Sequence, residues 1–142
     1  MIVNDIMSKN VVSVSPDEPA SLAARLLSRH NVGSLPVCSG DGKLHGIVTD
    51  RDIVLRCIAA DSDPNTTPVK SIMSRSIITA SPNDDIAHVS NLMSKGQVRR
   101  IPITDKENLV GIVSLGDLAN QQINDISAGK TLSKISSNVS QQ

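Results

Sequence analysis

Apolar residues come in short clusters along this chain, and the clusters occur twice. Val3, Ile6 and Met7 fit one or two helical turns, and Val69, Ile72 and Met73 repeat them. Val11-Val12-Ser13-Val14 reads as a short strand. Ala20, Ala23 and Leu27 then recur at helical spacing, as do Ile86, Val89 and Met93 in the second copy. Leu35-Pro36-Val37-Cys38 and Ile101-Pro102-Ile103-Thr104 are apolar runs of strand length, each with a proline that argues for an edge or a bulge. Leu44-His45-Gly46-Ile47-Val48 and Leu109-Val110-Gly111-Ile112-Val113 supply a third strand each. An apolar-periodic helix closes each copy, from Ile53-Val54-Leu55 to about Ala60 and from Leu118-Ala119 onward.

The polar positions punctuate this pattern. Ser15-Pro16-Asp17-Glu18 and Ser81-Pro82-Asn83-Asp84 stack the signals of a helix start: a serine N-cap, proline at the first helical position, and an acid three residues on. Ser39-Gly40-Asp41-Gly42-Lys43 and Asp105-Lys106-Glu107-Asn108 read as hairpin turns. Each repeat is therefore strand–helix–strand–strand–helix. Its first two strands are parallel across a right-handed helical crossover and its last two antiparallel, giving a small mixed sheet and an α+β fold. The copies lie 66 residues apart up to Pro102 and 65 apart from Gly111, so one residue is missing from a loop in the second. A unit of this size buries too little surface to stand alone. The two should pack face to face with pseudo-twofold symmetry. The predicted boundaries are residues 1–60 for the first repeat, 61–68 for a polar linker, 69–120 for the second repeat and 121–142 for a C-terminal helix and tail. Ile123 and Ile126 extend the last helix toward Gly129.

Composition narrows the function classes. Net charge is zero, so no basic face is expected for nucleic acid. No run approaches a membrane span, and the first residues carry no signal-peptide pattern. Cys38 and Cys57 lack metal-type spacing and read as buried thiols in a reducing compartment, which places the chain in the cytoplasm. His30, His45 and His88 are scattered over different elements and suggest no metal site. No serine or cysteine has a base placed by a motif, so no catalytic residue is expected. The chain contains no Phe, Tyr or Trp, so a flat ring would have to lie between aliphatic side chains.

One stretch carries candidate chemistry. Gly46-Ile47-Val48-Thr49-Asp50-Arg51-Asp52 returns as Gly111-Ile112-Val113-Ser114-Leu115-Gly116-Asp117. In each, a hydroxyl follows a buried strand and an aspartate stands three residues later, in the first turn of a helix. That spacing fits a capping box, with hydroxyl and carboxylate each accepting from the other's amide. It also fits a ligand site, since helix N-terminal amides suit phosphate and an aspartate suits ribose hydroxyls.

The Ile-Met lead-in, the Ser-Pro segment, the strand with central proline and the Gly-Ile-Val-(Thr/Ser)-x-x-Asp motif, all in register twice, resemble the CBS domain family in its tandem form, the CBS pair or Bateman module. The likeness covers roughly residues 3 to 120. The resemblance implies an adenosyl ligand (AMP, ADP, ATP or S-adenosylmethionine) in clefts between the repeats, with no required cofactor. It implies that Thr49 and Asp52 line one cleft and Ser114 and Asp117 the other, the hydroxyl on phosphate and the aspartate on ribose. Adenine would lie near Val12, Pro36, Ile78 and Pro102. Arg51, Arg99 and Arg100 stand where relatives place phosphate-binding residues, and their uneven distribution implies inequivalent clefts. The resemblance further implies a disc-like homodimer, an output partner of unknown identity, and a sensor rather than an enzyme. A scaffold that keeps the fold without ligand is the alternative.

Overall fold

Residues 1–122 are described in the computed structural model, and they form two small antiparallel sheets and four helices. The first repeat contributes α1 (Ala20–His30), β1 (Ser34–Cys38), β2 (Leu44–Thr49) and α2 (Asp50–Ile53), which runs straight into a π-helical turn at Val54–Ile58. The second contributes α3 (Ile86–Gly96), β3 (Arg100–Asp105), β4 (Asn108–Ser114) and α4, described over 115–122. The lead-ins are single 3-10 turns, Val3–Asp5 and Val69–Ser71. The expected extension through Ile123 and Ile126 and the tail lie outside the described residues.

The helices bury the stripe that their periodicity predicts. Ala20, Ala23 and Leu27 of α1 are buried, as are Val89 and Met93 of α3, with Ile86 half-buried. Each of these helices ends on a left-handed residue, Asn31 (φ 52°) and Gln97 (φ 53°), whose amides turn back onto Leu27 and Met93 carbonyls.

Three predicted features differ. The helices do not begin at Ser15-Pro16 or Ser81-Pro82; their N-caps are Pro19 and Asp85. Ser15 and Ser81 instead open tight turns, closed by Glu18 N–H to Ser15 C=O at 3.2 Å and Asp84 N–H to Ser81 C=O at 3.1 Å. Those turns leave carbonyls for the other repeat's lead-in. Val69 and Lys70 amides bond Glu18 and Pro16 carbonyls at 2.8 and 2.9 Å, and Val3 and Asn4 amides bond Asp84 and Pro82 at the same two lengths. The strand expected at Val11–Val14 is reduced to one parallel bridge, Val14 to Val37, mirrored by Ala80 to Ile103. The proline explains it. Val14 donates to Pro36 C=O and accepts from Cys38 N–H, but the next rung would need an N–H on Pro36. The sheets proper are thus the two hairpins. The motif helix, expected to run regularly to about Ala60, widens to π geometry and stops at Ile58.

The repeats exchange their lead-ins. Val3 is buried in the core of Val89, Ile101 and Val113, while Val69, Ile72 and Met73 are buried with Val14, Ala23 and Val48. Ser8 pairs with Ile112 of β4, and Ser74 pairs with Ile47 of β2. Gly46 and Gly111 permit this close approach. A Cβ on Gly46 would meet the Ser74 carbonyl oxygen at 2.4 Å, and one on Gly111 the Met7 sulfur at 2.6 Å. The hairpin ends also join, Leu44 N–H to Glu107 C=O at 3.0 Å and Leu109 N–H to Gly42 C=O at 3.1 Å. Each half is therefore built partly from the other's chain.

Candidate functional site

Both hydroxyl–aspartate pairs form complete capping boxes. Thr49, extended at the end of β2, accepts from the Asp52 amide at 3.0 Å, and Asp52 Oδ2 accepts from the Thr49 amide at 2.9 Å. Ser114 and Asp117 do the same at 3.1 and 2.8 Å. The boxes follow from local sequence alone: an extended strand-end hydroxyl and an acid three residues on. The pairs differ beyond the box. Asp52 Oδ1 lies 3.5 Å from Arg56 Nη1, and that guanidinium donates to the Ile72 carbonyl at 3.0 Å.

A cavity of about 740 Å³ opens between the repeats. The turn after α1 and the start of β1 give it Val32, Gly33 and Ser34; the turn after α3 and the start of β3 give Arg99 and Arg100; the end of β4 gives Ser114. A smaller pocket of about 210 Å³ shares Val32, Ser34 and Arg100 with it and adds Val12, Pro36 and His30. Five predicted residues, Val12, Pro36, Arg99, Arg100 and Ser114, thus meet along one composite cleft, with Asp117 bonded to Ser114 at its edge. The Nε of Arg100 is buried and has no hydrogen-bond partner among the described residues. A buried donor left unpaired is unfavourable by about 1–3 kcal/mol.

The other predicted residues stand at the pseudo-symmetric places. Thr49 and Asp52 are held in their box, Arg51 is exposed on the first turn of α2, and Pro102 is buried in β3 opposite Ile112. Ile78 packs over Gly96: a Cβ there would lie 2.2 Å from its Cδ1. Asp50 approaches Gly33, its Oδ2 3.6 Å from where a Cβ would be.

One residue that lines the cleft and one that pairs with a motif aspartate are missed by the sequence reading. His30 lines the smaller pocket rather than sitting idle at a helix end, and its counterpart 66 residues on is Gly96; comparing the copies at that position exposes the difference. Arg56 follows Asp52 by four residues, a spacing that brings opposite charges together on a helix. Among the described residues no group of three or more His, Cys, Asp or Glu could hold a metal ion, and no helix is long and apolar enough to cross a membrane.

Comparison with known proteins gives a consistent picture. Residues 3–58 and 69–123 each match the family described as CBS domain. CBS domain-containing protein YhcV of Bacillus subtilis (strain 168) is 46% identical over 134 residues, covering 94% of each chain. Hypoxic response protein 1 of Mycobacterium tuberculosis is 41% identical over 115 residues, covering 81% of this chain and 80% of its own. Among solved structures, Hypoxic Response Protein I with two coordinated zinc ions is similar at a TM-score of 0.78 and 38% identity, covering 84% of this chain and 98% of that one. The CBS domain pair of protein MJ0100, in complex with 5′-methylthioadenosine and S-adenosyl-L-methionine, is similar at 0.75 and 31%, covering 88% and 98%.

Proposed function

This chain belongs to the CBS domain family, and from that premise we propose that it is a regulatory module that takes an adenosyl compound in the cleft between its repeats. The ligand class is AMP, ADP, ATP or S-adenosylmethionine, and occupancy is passed on through shape or partner surface. The observation that carries the reading is a cleft built by both repeats, in which Arg99, Arg100 and Ser114 of the second lie along the same composite surface as Val12 and Pro36 of the first. Its volume of about 740 Å³ is of ligand size. In this reading Val12 and Pro36 hold adenine between aliphatic faces, Asp117 takes the ribose hydroxyls, and Ser114, Arg99 and Arg100 take the anionic end. The cleft with Arg99 and Arg100 is the stronger of the two, because Gly33 and Ser34 occupy the equivalent places in the first repeat. The reading assigns the chain no reaction of its own.

The same proposal includes a homodimer, supported by Val54, Leu55, Ile58 and Leu115, which are exposed on the motif helices. It includes a cytoplasmic location, supported by two free, buried thiols. The output partner is a protein whose identity is open.

A ligand-free scaffold is the second reading, favoured by one observation: both hydroxyl–aspartate pairs are satisfied as capping boxes. Calorimetric titration with AMP, ATP and S-adenosylmethionine separates the two. On the sensor reading, Asp117→Ala weakens binding by about 1–3 kcal/mol, the size of hydrogen bonds lost to a charged group. Unchanged affinity in the Asp52→Ala, Asp117→Ala double variant would assign both aspartates to helix capping alone.

A further inference from the structure

We infer that the protein takes one ligand per chain, in the cleft of Val12, Pro36, Arg100 and Ser114, and that Ile78 closes the pseudo-symmetric cleft. The inference rests on the adenosyl reading above and adds a stoichiometry and the residue that sets it.

The two clefts can be compared position by position. On the open side, Val12 and His30 border a pocket of about 210 Å³ beside Pro36. Sixty-six residues on, their counterparts are Ile78 and Gly96, beside Pro102. Isoleucine is one methylene longer than valine, and glycine offers no side chain to hold it off. The Ile78 Cδ1 accordingly lies on the bare face of Gly96, where even a Cβ would come within 2.2 Å. Both residues rest on their own cores, Val12 on that of Ala23 and Val48 and Ile78 on that of Val89 and Met93, so the difference lies in the longer side chain and the bare glycine beside it. The place that the His30 side chain takes beside the pocket of the first repeat is taken, at the matching position of the second, by the end of Ile78.

The far end of the closed cleft is committed as well. Asp50 and Arg51 stand where Leu115 and Gly116 border the open cleft. The Asp50 carboxylate lies beside Gly33, its Oδ2 3.6 Å from where a Cβ there would be, and adds negative charge that the uncharged Leu115 does not. Asp52 uses Oδ2 on the Thr49 amide and Oδ1 on Arg56, so a ribose hydroxyl would have to share an oxygen already paired.

The test is equilibrium dialysis of the full chain against AMP, ATP and S-adenosylmethionine in turn, read by adenine absorbance. The unaltered protein should saturate at about one ligand per chain. Exchanging the pair that differs moves the result in both directions. V12I/H30G, which copies the closed side, should weaken binding by at least ~10-fold, the low end of what one methylene of pocket shape commands. I78V/G96H, which copies the open side, should admit a second ligand, and I78A should do the same without touching the helix end. Circular dichroism checks that each variant is folded. Saturation at two in the unaltered protein would overturn the inference and leave the adenosyl reading intact. Undiminished affinity in V12I/H30G, or saturation still at one in I78A, would overturn the role given to Ile78. No uptake of any of the three compounds would overturn the adenosyl reading and this inference with it.

Discussion

A glycine in each motif decides whether the two halves can join. Gly46 faces the carbonyl of Ser74, a residue pinned to Ile47 in both directions: its C=O accepts from the Ile47 N–H at 2.9 Å and its N–H donates to the Ile47 C=O at 2.8 Å. Because backbone cannot swing aside as a side-chain tip can, Gly46→Ala should destabilise the fold by about 1–3 kcal/mol in urea unfolding, the range for overpacking. Gly40→Ala is the control, with nothing among the described residues within 4 Å of its Cβ position, and should stay within about 0.5 kcal/mol of the parent. A second residue-scale effect concerns Cys38. Burial in β1 pushes its thiol above the usual range, with a Ser13 hydrogen bond opposing in part. A raised value means that the folded state holds the proton more tightly than the unfolded one. The thiol's contribution is then fully present below the unfolded value, about 8.5, and is lost as pH rises through the folded one. Unfolding midpoints should therefore fall above roughly pH 8.5, and Cys38→Ala should flatten that fall; equal slopes in both proteins would contradict the assignment.

The second hairpin turn shows how an element can carry strain that its sequence barely advertises. β3 and β4 are joined by Lys106 and Glu107 alone, both at positive φ (50° and 71°), where the first repeat has a longer turn with Gly42 at φ 90°. This is the two-residue turn that favours Asn-Gly, occupied by two long side chains. Glu107→Gly should raise stability by about 0.5–1 kcal/mol, the left-handed penalty removed less the entropy that glycine adds to the unfolded chain. The exposed Lys43–Glu107 pair that it deletes, at 3.7 Å, subtracts little. Most elements were legible in the sequence because they rest on local rules. The helical stripes of α1 and α3, the hairpins and the capping boxes are of that kind. The true helix starts were not, because Ser15-Pro16 and Ser81-Pro82 spend their turns on carbonyls that receive the opposite lead-in, a contact between residues more than 50 positions apart or in different repeats. Nor was the loss of the first strand, although Pro36 and Pro102 hold its cause: each lacks the N–H that a second rung would use.

At the scale of the whole molecule, the repeat predicted that two halves pack together but not that they interleave. The exchange of lead-ins puts Val3 in one core and Val69 in the other, so neither repeat has a complete interior of its own. The site follows the same logic. The motif residues were visible singly, since duplication marked them, but the grouping of Val12 and Pro36 from one repeat with Arg99, Arg100 and Ser114 from the other is set by the packing of the halves. A ligand bridging them would stabilise the joined state by mass action, about 2.7 kcal/mol at ~100 times its Kd, visible as a rise in melting temperature. The central claim, an adenosyl compound held in this cleft, has a direct optical test because the chain has no Phe, Tyr or Trp to mask an adenine band. Gel filtration through columns equilibrated with AMP, ATP or S-adenosylmethionine would report binding even when exchange is fast. The account predicts an adenine peak travelling with the protein for at least one of the three, and its reduction in Asp117→Ala. A protein zone with no excess adenine absorbance on any of the columns would contradict it.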